Sequence, residues 1–267
     1  METILPKFSI IIATHDRHQL LNRAIQSIQQ QTYQHYQIVI ISDSNCLNTY
    51  KIASKMTQEG DLFVQRYGNA GPAASRNIGM NLITGDYFIF LDDDDTFQPN
   101  FLENIVNQLQ ESSSKEPIYY TNFQVVHEKL DDDCIIETEM IDVGGYDPST
   151  VYVKNFIPNN CLVFPKRLAV DITFDKHIAY EDWDFILSAC AYAPLQHLSI
   201  FGPRIHKNNN EESVQRGKSN EAGLIDCYIK VYGKHPPINH SIAIQRQELF
   251  SSINLDINEF VDNSPLP

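Results

Sequence analysis

Gly85-Asp86-Tyr87-Phe88-Ile89-Phe90-Leu91-Asp92-Asp93-Asp94-Asp95 sets four carboxylates at the end of an apolar run. An uninterrupted aromatic and aliphatic run of this length suits a strand buried on both faces of a parallel sheet. Ligands of open α/β sheets bind beyond the C-terminal ends of the strands, which is where these aspartates fall. Like charges so close repel one another unless a cation or a set of donors neutralises them. Oxygen-only ligands suit Mg²⁺ or Mn²⁺, hard ions shared between carboxylates and the phosphates of a substrate. The competing reading is a solvated acidic turn. The apolar lead-in favours a metal–diphosphate clamp.

Upstream, Phe8 to Ala13 is a β-branched run after Pro6 and ends in the polar turn Thr14-His15-Asp16-Arg17. Leu20, Leu21, Ala24, Ile25 and Ile28 then recur at helical spacing. Gln37 to Ile41 reads as a second buried strand ending in Ser42-Asp43-Ser44-Asn45, followed by a helical stretch through Leu47, Tyr50 and Met56. A third strand, Leu62 to Arg66, leads through Gly68-Asn69-Ala70-Gly71 to Pro72, which suits the first turn of a helix. That helix is expected to carry Ala73 to Leu82, with Gly85 as its C-cap. Beyond the aspartates, Pro99 opens an amphipathic helix through Leu102, Ile105, Val106 and Leu109. Strands and helices that alternate in this way predict an α/β fold, a doubly wound parallel sheet with a nucleotide site on its C-terminal edge. No GxGxxG follows the first strand and no GxxxxGK[ST] occurs, so neither a dinucleotide fold nor a P-loop is supported.

The second half changes character. Tyr119 to Glu128 and Cys134 to Met140 read as strands around a solvated hairpin tip, Lys129 to Asp133. Cys161 to Phe164 reads as one more strand, and Tyr180-Glu181-Asp182-Trp183-Asp184-Phe185 opens a helix. Arg204 to Asn220 is expected to be a mobile loop, residues 221–233 and 240–253 helical, and Asp262 to Pro267 disordered.

A chain of 267 residues, 42% of them hydrophobic, is long enough for a sizeable core. Its net charge of −14 disfavours nucleic acid as a partner, although a metal-bound nucleotide reverses the local sign. Five scattered cysteines without a CxxC pair read as reduced intracellular thiols. No apolar run approaches the ~20 residues of a membrane span, and no signal-peptide core is present. A cytoplasmic protein is expected, and loose attachment to the inner face of a membrane is compatible with this.

FSIIIATHDR, a strand ending in Ser42-Asp43-Ser44, AGPAASRNIGM, GDYFIFLDDDD and FDKHIAYEDWDF occur in that order. Together they resemble the family 2 glycosyltransferases, inverting enzymes of the GT-A fold. The resemblance covers residues 7 to about 206. It implies a GT-A domain over residues 1–233, with a nucleotide-binding half at 1–115, an acceptor-binding half at 116–233, and a C-terminal extension at 234–267. The chain lacks the Q-x-x-R-W motif and membrane helices of the processive synthases, which implies addition of a single sugar.

By this resemblance, Ala13, Thr14, Asp16 and Arg17 border the base and ribose of a nucleotide-sugar donor. Asp43 accepts from the imide N–H of uracil, which favours a UDP-sugar, and Arg76 reaches the nucleotide or diphosphate. Asp92 and Asp94 fill the D-x-D motif, Asp94 as metal ligand, while Asp93 or Asp95 can share the role. Asp182 is the base for the acceptor hydroxyl, with Glu181 and Trp183 beside it on the acceptor side. His206 completes the coordination of Mn²⁺ or Mg²⁺ and tilts the choice toward Mn²⁺. The acceptor implied is a glycan or lipid-linked glycan.

Blander readings stand beside each of these. Asp43 can be a helix N-cap, Arg76 and His206 surface groups, Trp183 a core residue, and Glu181, Asp182 and Asp184 first-turn carboxylates. Two other functions compete, a non-catalytic sugar-nucleotide-binding module and a nucleotidyltransferase. The latter usually has a Gly-rich phosphate loop, and the corresponding stretch here, Ala13 to Arg17, has no glycine.

Overall fold

A computed structural model of the chain describes residues 5–109, 116–129, 134–208 and 221–252. The expected disordered tail, most of the hairpin tip and the greater part of the expected mobile loop lie outside these residues.

Alternation along the first strands builds the core. In β1 (Phe8–Thr14), β2 (Tyr36–Ser42) and β4 (Tyr87–Phe90), successive side chains point to opposite faces. Ile11, Val39, Ile41, Phe88 and Phe90 enter one apolar cluster, while Ile10, Ile12, Ile38, Ile40 and Ile89 enter the other. Each face is then covered. Helix α1 (His18–Gln29) brings Leu21, Ala24 and Ile25 to the second cluster, and α4 (Phe101–Leu109) brings Phe101, Leu102 and Ile105. Helix α3 (Pro72–Met80) and α5 (Glu181–Cys190) cover the first through Ala73, Met80, Phe185 and Ile186. Helix α2 is Leu47–Met56 and β3 is Leu62–Gln65.

The strands β3-β2-β1-β4 are parallel neighbours in that order. Successive strands step outward from β1 on one side, and β4 then returns to its other side. That reversal opens a crevice beyond the ends of β1 and β4, where Thr14 and the aspartates sit. The rest of the sheet is mixed. β8 (Leu162–Pro165) runs antiparallel between β4 and β6 (Ile118–Lys129), and β6 is parallel to β9 (Leu195–Asn208). β7 (Cys134–Ile141) pairs with the far end of β6, and the short β5 (Thr96–Phe97) pairs with β9.

Two local expectations are corrected. Helix α3 ends at Met80 with Asn81 as its cap, so Gly85 is not a C-cap. A Cβ at Gly85 would stand 2.7 Å from backbone atoms of Lys7, Phe8 and Ser9, so its role is to let two backbones approach. The helix expected to open at Pro99 begins at Phe101, after β5.

At the other end, α6 (Glu221–Lys234) and α7 (His240–Ser252) dock onto the sheet domain. Tyr228, Tyr232 and Phe250 pack their rings edge to face or tilted, the first two also against Trp183. Asp184, fully buried, accepts from Lys234 Nζ at 2.8 Å and meets His235 Nε2 at 2.7 Å. No helix among the described residues is long and apolar enough to cross a membrane.

Candidate active site

The aspartates form a tight turn after β4, closed by the Asp95 N–H donating to the Asp92 carbonyl at 3.1 Å. Two of the four point inward. Asp93 accepts from Thr14 Oγ1 at 2.6 Å and faces Arg17 Nη2 at 2.6 Å. Asp95 accepts from the His206 N–H at 2.8 Å and from Asn160 Nδ2, while Asn160 Oδ1 receives the Asp92 N–H at 3.1 Å. Asp92 and Asp94 stay open to solvent, at 37% and 38% exposure. Burial lifts the Asp93 carboxyl to about 6 against the pull of Arg17 and Thr14. Burial also lifts Asp95, with the like charges of Asp92 and Asp94 adding to it.

One carboxylate oxygen from each of Asp92, Asp94 and Asp95 lies within 4.8 Å of the others. Three hard oxygen donors at that spacing, under mutual repulsion, are a donor set that fits a divalent cation of the Mg²⁺ or Mn²⁺ kind. Asp93 is turned away into its contacts with Thr14 and Arg17.

On one side of the turn is a cavity of about 330 Å³, lined among others by Ala13, Thr14, His15, Arg17, Asp43 and Gly71. Asp43 is its acidic wall. Its Oδ2 accepts from the Gly71 N–H at 2.7 Å and from Arg66 Nη2 at 3.0 Å, and its Oδ1 meets His15 Nδ1 at 2.6 Å. Burial raises this carboxyl, but the Gly71 N–H, His15 and Arg66 more than offset it and hold the group below its ordinary value. Gly71 sits at φ 151°, a backbone that favours glycine and aims its N–H at Asp43. Arg66 also donates to Ser75 Oγ and to the Asn69 and Gly71 carbonyls, so it fastens the whole 69–75 wall. Helix α2 is capped at Cys46, which removes the N-cap reading of Asp43.

On the other side, a cavity of about 600 Å³ is lined by Lys154, Tyr180, Glu181, Asp182, Trp183 and Tyr228 among others. Arg76 joins it to the turn. This guanidinium, buried on α3 and stacked 5.3 Å from the Phe174 ring centroid, donates to Asp92 Oδ1 at 2.8 Å and Asp182 Oδ1 at 2.7 Å. It also reaches Glu181 at 3.3 Å. Burial opposes its charge, but Asp182, Asp92 and Glu181 outweigh burial and hold it protonated. Burial pushes Asp182 up to about 7; Arg76 pulls it down, and Asp92 and Glu181 add to the rise.

The residues expected from sequence are therefore gathered, several of them in other parts than expected. Arg76 does not stand free for a phosphate; it is committed to carboxylates on both sides of the site. Asp16 is exposed, in left-handed backbone at φ 54°, and its carboxylate takes the Ser44 hydroxyl outside the cavity lining. His206 approaches the aspartates through its backbone only: its Nδ1 meets Glu128 Oε2 at 2.9 Å and its Nε2 meets Thr96 Oγ1 at 2.8 Å. With both ring nitrogens engaged, the imidazole is not part of the oxygen cluster. Trp183 is buried, donating Nε1–H to the Val151 carbonyl at 2.7 Å, so it is first a core residue. Asp184 is turned inward to Lys234 and His235, away from the acceptor cavity lining.

Sequence reasoning missed Arg66, Asn160 and Tyr228. Asn160 carries the one signal that was readable, a polar pair, Asn159-Asn160, just before an apolar strand. Arg66 immediately follows β3, the same strand-end position that marks Thr14 and Asp43, whereas Tyr228 is brought to the site by long-range folding and has no local mark.

Residues 9–117 match the profile of Glycosyl transferase family 2. The match covers about two fifths of the chain, the part that carries β1 to β4 and the aspartate turn. An uncharacterized family relative, a glycosyltransferase of Rickettsia typhi, is 30% identical over 216 residues, 76% of this chain and 65% of that protein. The GalNAc(5)-diNAcBac-PP-undecaprenol beta-1,3-glucosyltransferase of Campylobacter jejuni is 29% identical over 110 residues, 40% of this chain and 36% of that one. The chain thus spans less than two thirds of the length of either relative. Among solved structures, S. aureus TarS 1-349 in complex with UDP-GlcNAc superposes with a TM-score of 0.66 at 16% identity, over 94% of this chain and 74% of that one. The fold is that of the GT-A glycosyltransferases.

Proposed function

We propose that the chain is an inverting glycosyltransferase that moves a single sugar from a nucleoside-diphosphate sugar, a UDP-sugar by preference, to a hydroxyl of a glycan or lipid-linked acceptor in surface polysaccharide synthesis. One observation carries the reading. The aspartate turn is tied by Arg17 to the cavity that holds Asp43 and by Arg76 to the cavity that holds Asp182. A donor site and an acceptor site so joined suit transfer between two substrates.

Each group has a part. Asp43, kept ionised, is acceptor-only and pairs with a base-edge N–H such as the uracil imide. Asp92, Asp94 and Asp95 hold the cation, which when bound neutralises charge on the departing diphosphate. Asp182 takes the proton of the acceptor hydroxyl as its oxygen bonds to the sugar C1 and the bond from C1 to the diphosphate oxygen breaks. A single displacement from the opposite face inverts C1. An apparent value of about 7 for Asp182 suits a base at neutral pH. Tyr180 and Tyr228 present aromatic surface to the acceptor cavity, which suits a sugar ring. The name of the Campylobacter jejuni relative specifies an undecaprenol-linked glycan, which supports an acceptor of that kind here.

The test begins with thermal shift against UDP-, GDP-, CMP- and dTDP-sugars with Mn²⁺, since a ligand of the native state raises its melting point. UDP-sugars are expected to give the largest shift. Calorimetry then compares UDP affinity in Mn²⁺ and in EDTA, for wild type and Asp94→Ala. Equal affinity in both buffers removes the cation from the reading. Sugar-nucleotide turnover with polyprenyl-linked acceptors separates enzyme from binding module.

A further inference from the structure

Beneath the aspartate turn lies a polar network, its Glu128 and His206 side chains buried and its Arg23 half-buried, that is outside the lining of both cavities. Glu128 is its centre. Glu128 is the only charged residue among the buried side chains described on β6, and the pairing of β6 with β7 shifts register between His127 and Glu128. Bulges of this kind re-aim a side chain, and Glu128 is buried. Both its oxygens are used: Arg23 Nη1 donates to Oε1 at 2.7 Å and to Oε2 at 2.9 Å, and His206 Nδ1 meets Oε2 at 2.9 Å.

The far ends of these partners all reach the turn. Arg23 Nη2 donates to the Asp94 carbonyl at 2.7 Å, the His206 N–H donates to Asp95 Oδ1 at 2.8 Å, and His206 Nε2 meets Thr96 Oγ1 at 2.8 Å. Three consecutive residues, Asp94, Asp95 and Thr96, are thus gripped from below by one network drawn from α1, β6 and β9. A ring nitrogen against a carboxylate carries the proton, so His206 donates from Nδ1 and accepts the Thr96 hydroxyl at Nε2. The network is then one anion, one cation and one neutral ring.

A buried ion pair of this sort is poor evidence for stability, because apolar side chains of similar size serve a core as well. Its retention calls for a geometric reason. We infer that Glu128, with Arg23 and His206, is a positioning network that sets the spacing of the aspartate oxygens for cation binding. This rests on the proposed cation site, and it assigns His206 a supporting part in place of a ligand's. Partners behind a metal's ligands typically tune its affinity by ~10- to 100-fold.

The test measures Mn²⁺ binding alone, without nucleotide, by calorimetry and electron paramagnetic resonance on the full chain. Glu128→Gln keeps the shape and removes the charge; Arg23→Lys keeps the charge and removes the fork. Val106→Ala, a core truncation on α4, is the destabilised control. The expected result is Mn²⁺ binding weakened ~10- to 100-fold in both network variants, near wild type in Val106→Ala, and abolished in Asp94→Ala. Transfer should then need more Mn²⁺ for half-saturation while the rate at saturating Mn²⁺ stays within a few-fold. If Glu128→Gln fails to fold, Arg23→Lys decides the matter. Folded variants that bind Mn²⁺ within twofold of wild type overturn the positioning role while leaving the cation site standing. A wild-type chain that binds no Mn²⁺, with or without UDP, overturns the cation site itself and the network's role with it.

Discussion

Arg17 and Arg76 both neutralise the aspartate turn, yet they do so from opposite kinds of wall. Arg17 stands at the donor cavity with 46% of its side chain exposed, paired with Asp93 and Asp94. Arg76 is 6% exposed, stacked on Phe174, and divided between Asp92 and the Glu181-Asp182 pair. The exposed arginine is screened by water and can exchange the open Asp94 for a phosphate at little cost, while its contact with the fully buried Asp93 anchors it. The buried one is itself shut off from water and is held by three carboxylates that are 21–37% exposed, so it is the guanidinium that depends on them for its charge partners. The proposed donor side is therefore open to rearrangement around Asp94 by a ligand, and the proposed acceptor side is held together by the buried Arg76 before any ligand arrives.

The sharpest way to break this contrast is to remove the base while keeping the wall. Asp182→Asn keeps the shape and an oxygen for Arg76, so donor binding should stay near wild type while transfer falls ~10²- to 10⁴-fold. Transfer near the wild-type rate would exclude Asp182 and leave Glu181 as the carboxylate at that position. The same residue predicts a pH profile. A base must be ionised, so kcat/KM of the wild type should rise with pH and level off above about 7. The rise should be missing from any residual activity of Asp182→Asn. Stability moves the other way. A carboxyl raised from 3.8 to about 7 in the fold binds its proton more tightly there than in the unfolded chain. The contribution of Asp182 to stability should fall as pH climbs between those values and stay flat beyond them. Urea titrations of wild type and Asp182→Asn across that range read the difference directly.

A smaller effect is expected on the donor side. Asp43→Asn exchanges an acceptor-only group for one with two donors, opposite the Gly71 N–H and Arg66. Hydrogen bonds to a charged group contribute about 1.5–3 kcal/mol, so UDP affinity should weaken by roughly 10- to 100-fold. Discrimination between UDP and CMP should narrow, as the proposed reading of the pyrimidine edge at this carboxylate requires. Unchanged affinity and unchanged discrimination would take Asp43 out of base recognition.

The same contrast explains what could be read from the chain beforehand. The donor wall comes from consecutive β–α units, so its residues lie at strand ends that apolar runs announce: Thr14 after β1, Asp43 after β2, Asp92 to Asp95 after β4. The proposed acceptor wall is assembled from Lys154, Tyr180 and Tyr228, widely spaced in sequence and brought together only by the tertiary fold. Periodicity has nothing to say about such neighbours. Misreadings at single residues share this cause. His206 stood where a ligand was expected, and its ring was claimed by Glu128, a residue on another strand. Gly85 looked like a helix cap, and its constraint came from the backbone of β1.

The smallest expected effect tests whether the acceptor wall is a rigid frame or a reading surface. Trp183 lines the acceptor cavity yet is only 3% exposed, its Nε1–H held by the Val151 carbonyl and its ring packed against Tyr228 and Tyr232. Trp183→Phe keeps an aromatic ring in the cluster and removes one donor. The Val151 carbonyl is then left buried and unpaired, at a cost of about 1–3 kcal/mol, and the smaller ring leaves some space beside it. A lowered melting temperature is therefore expected, together with a donor KM and an acceptor KM within about twofold of wild type. Tyr228→Phe provides the internal check, since it retains the ring and its packing. An acceptor KM raised tenfold in Trp183→Phe, with stability preserved, would mean that the indole meets the sugar directly and that the acceptor side is as adaptable as the donor side.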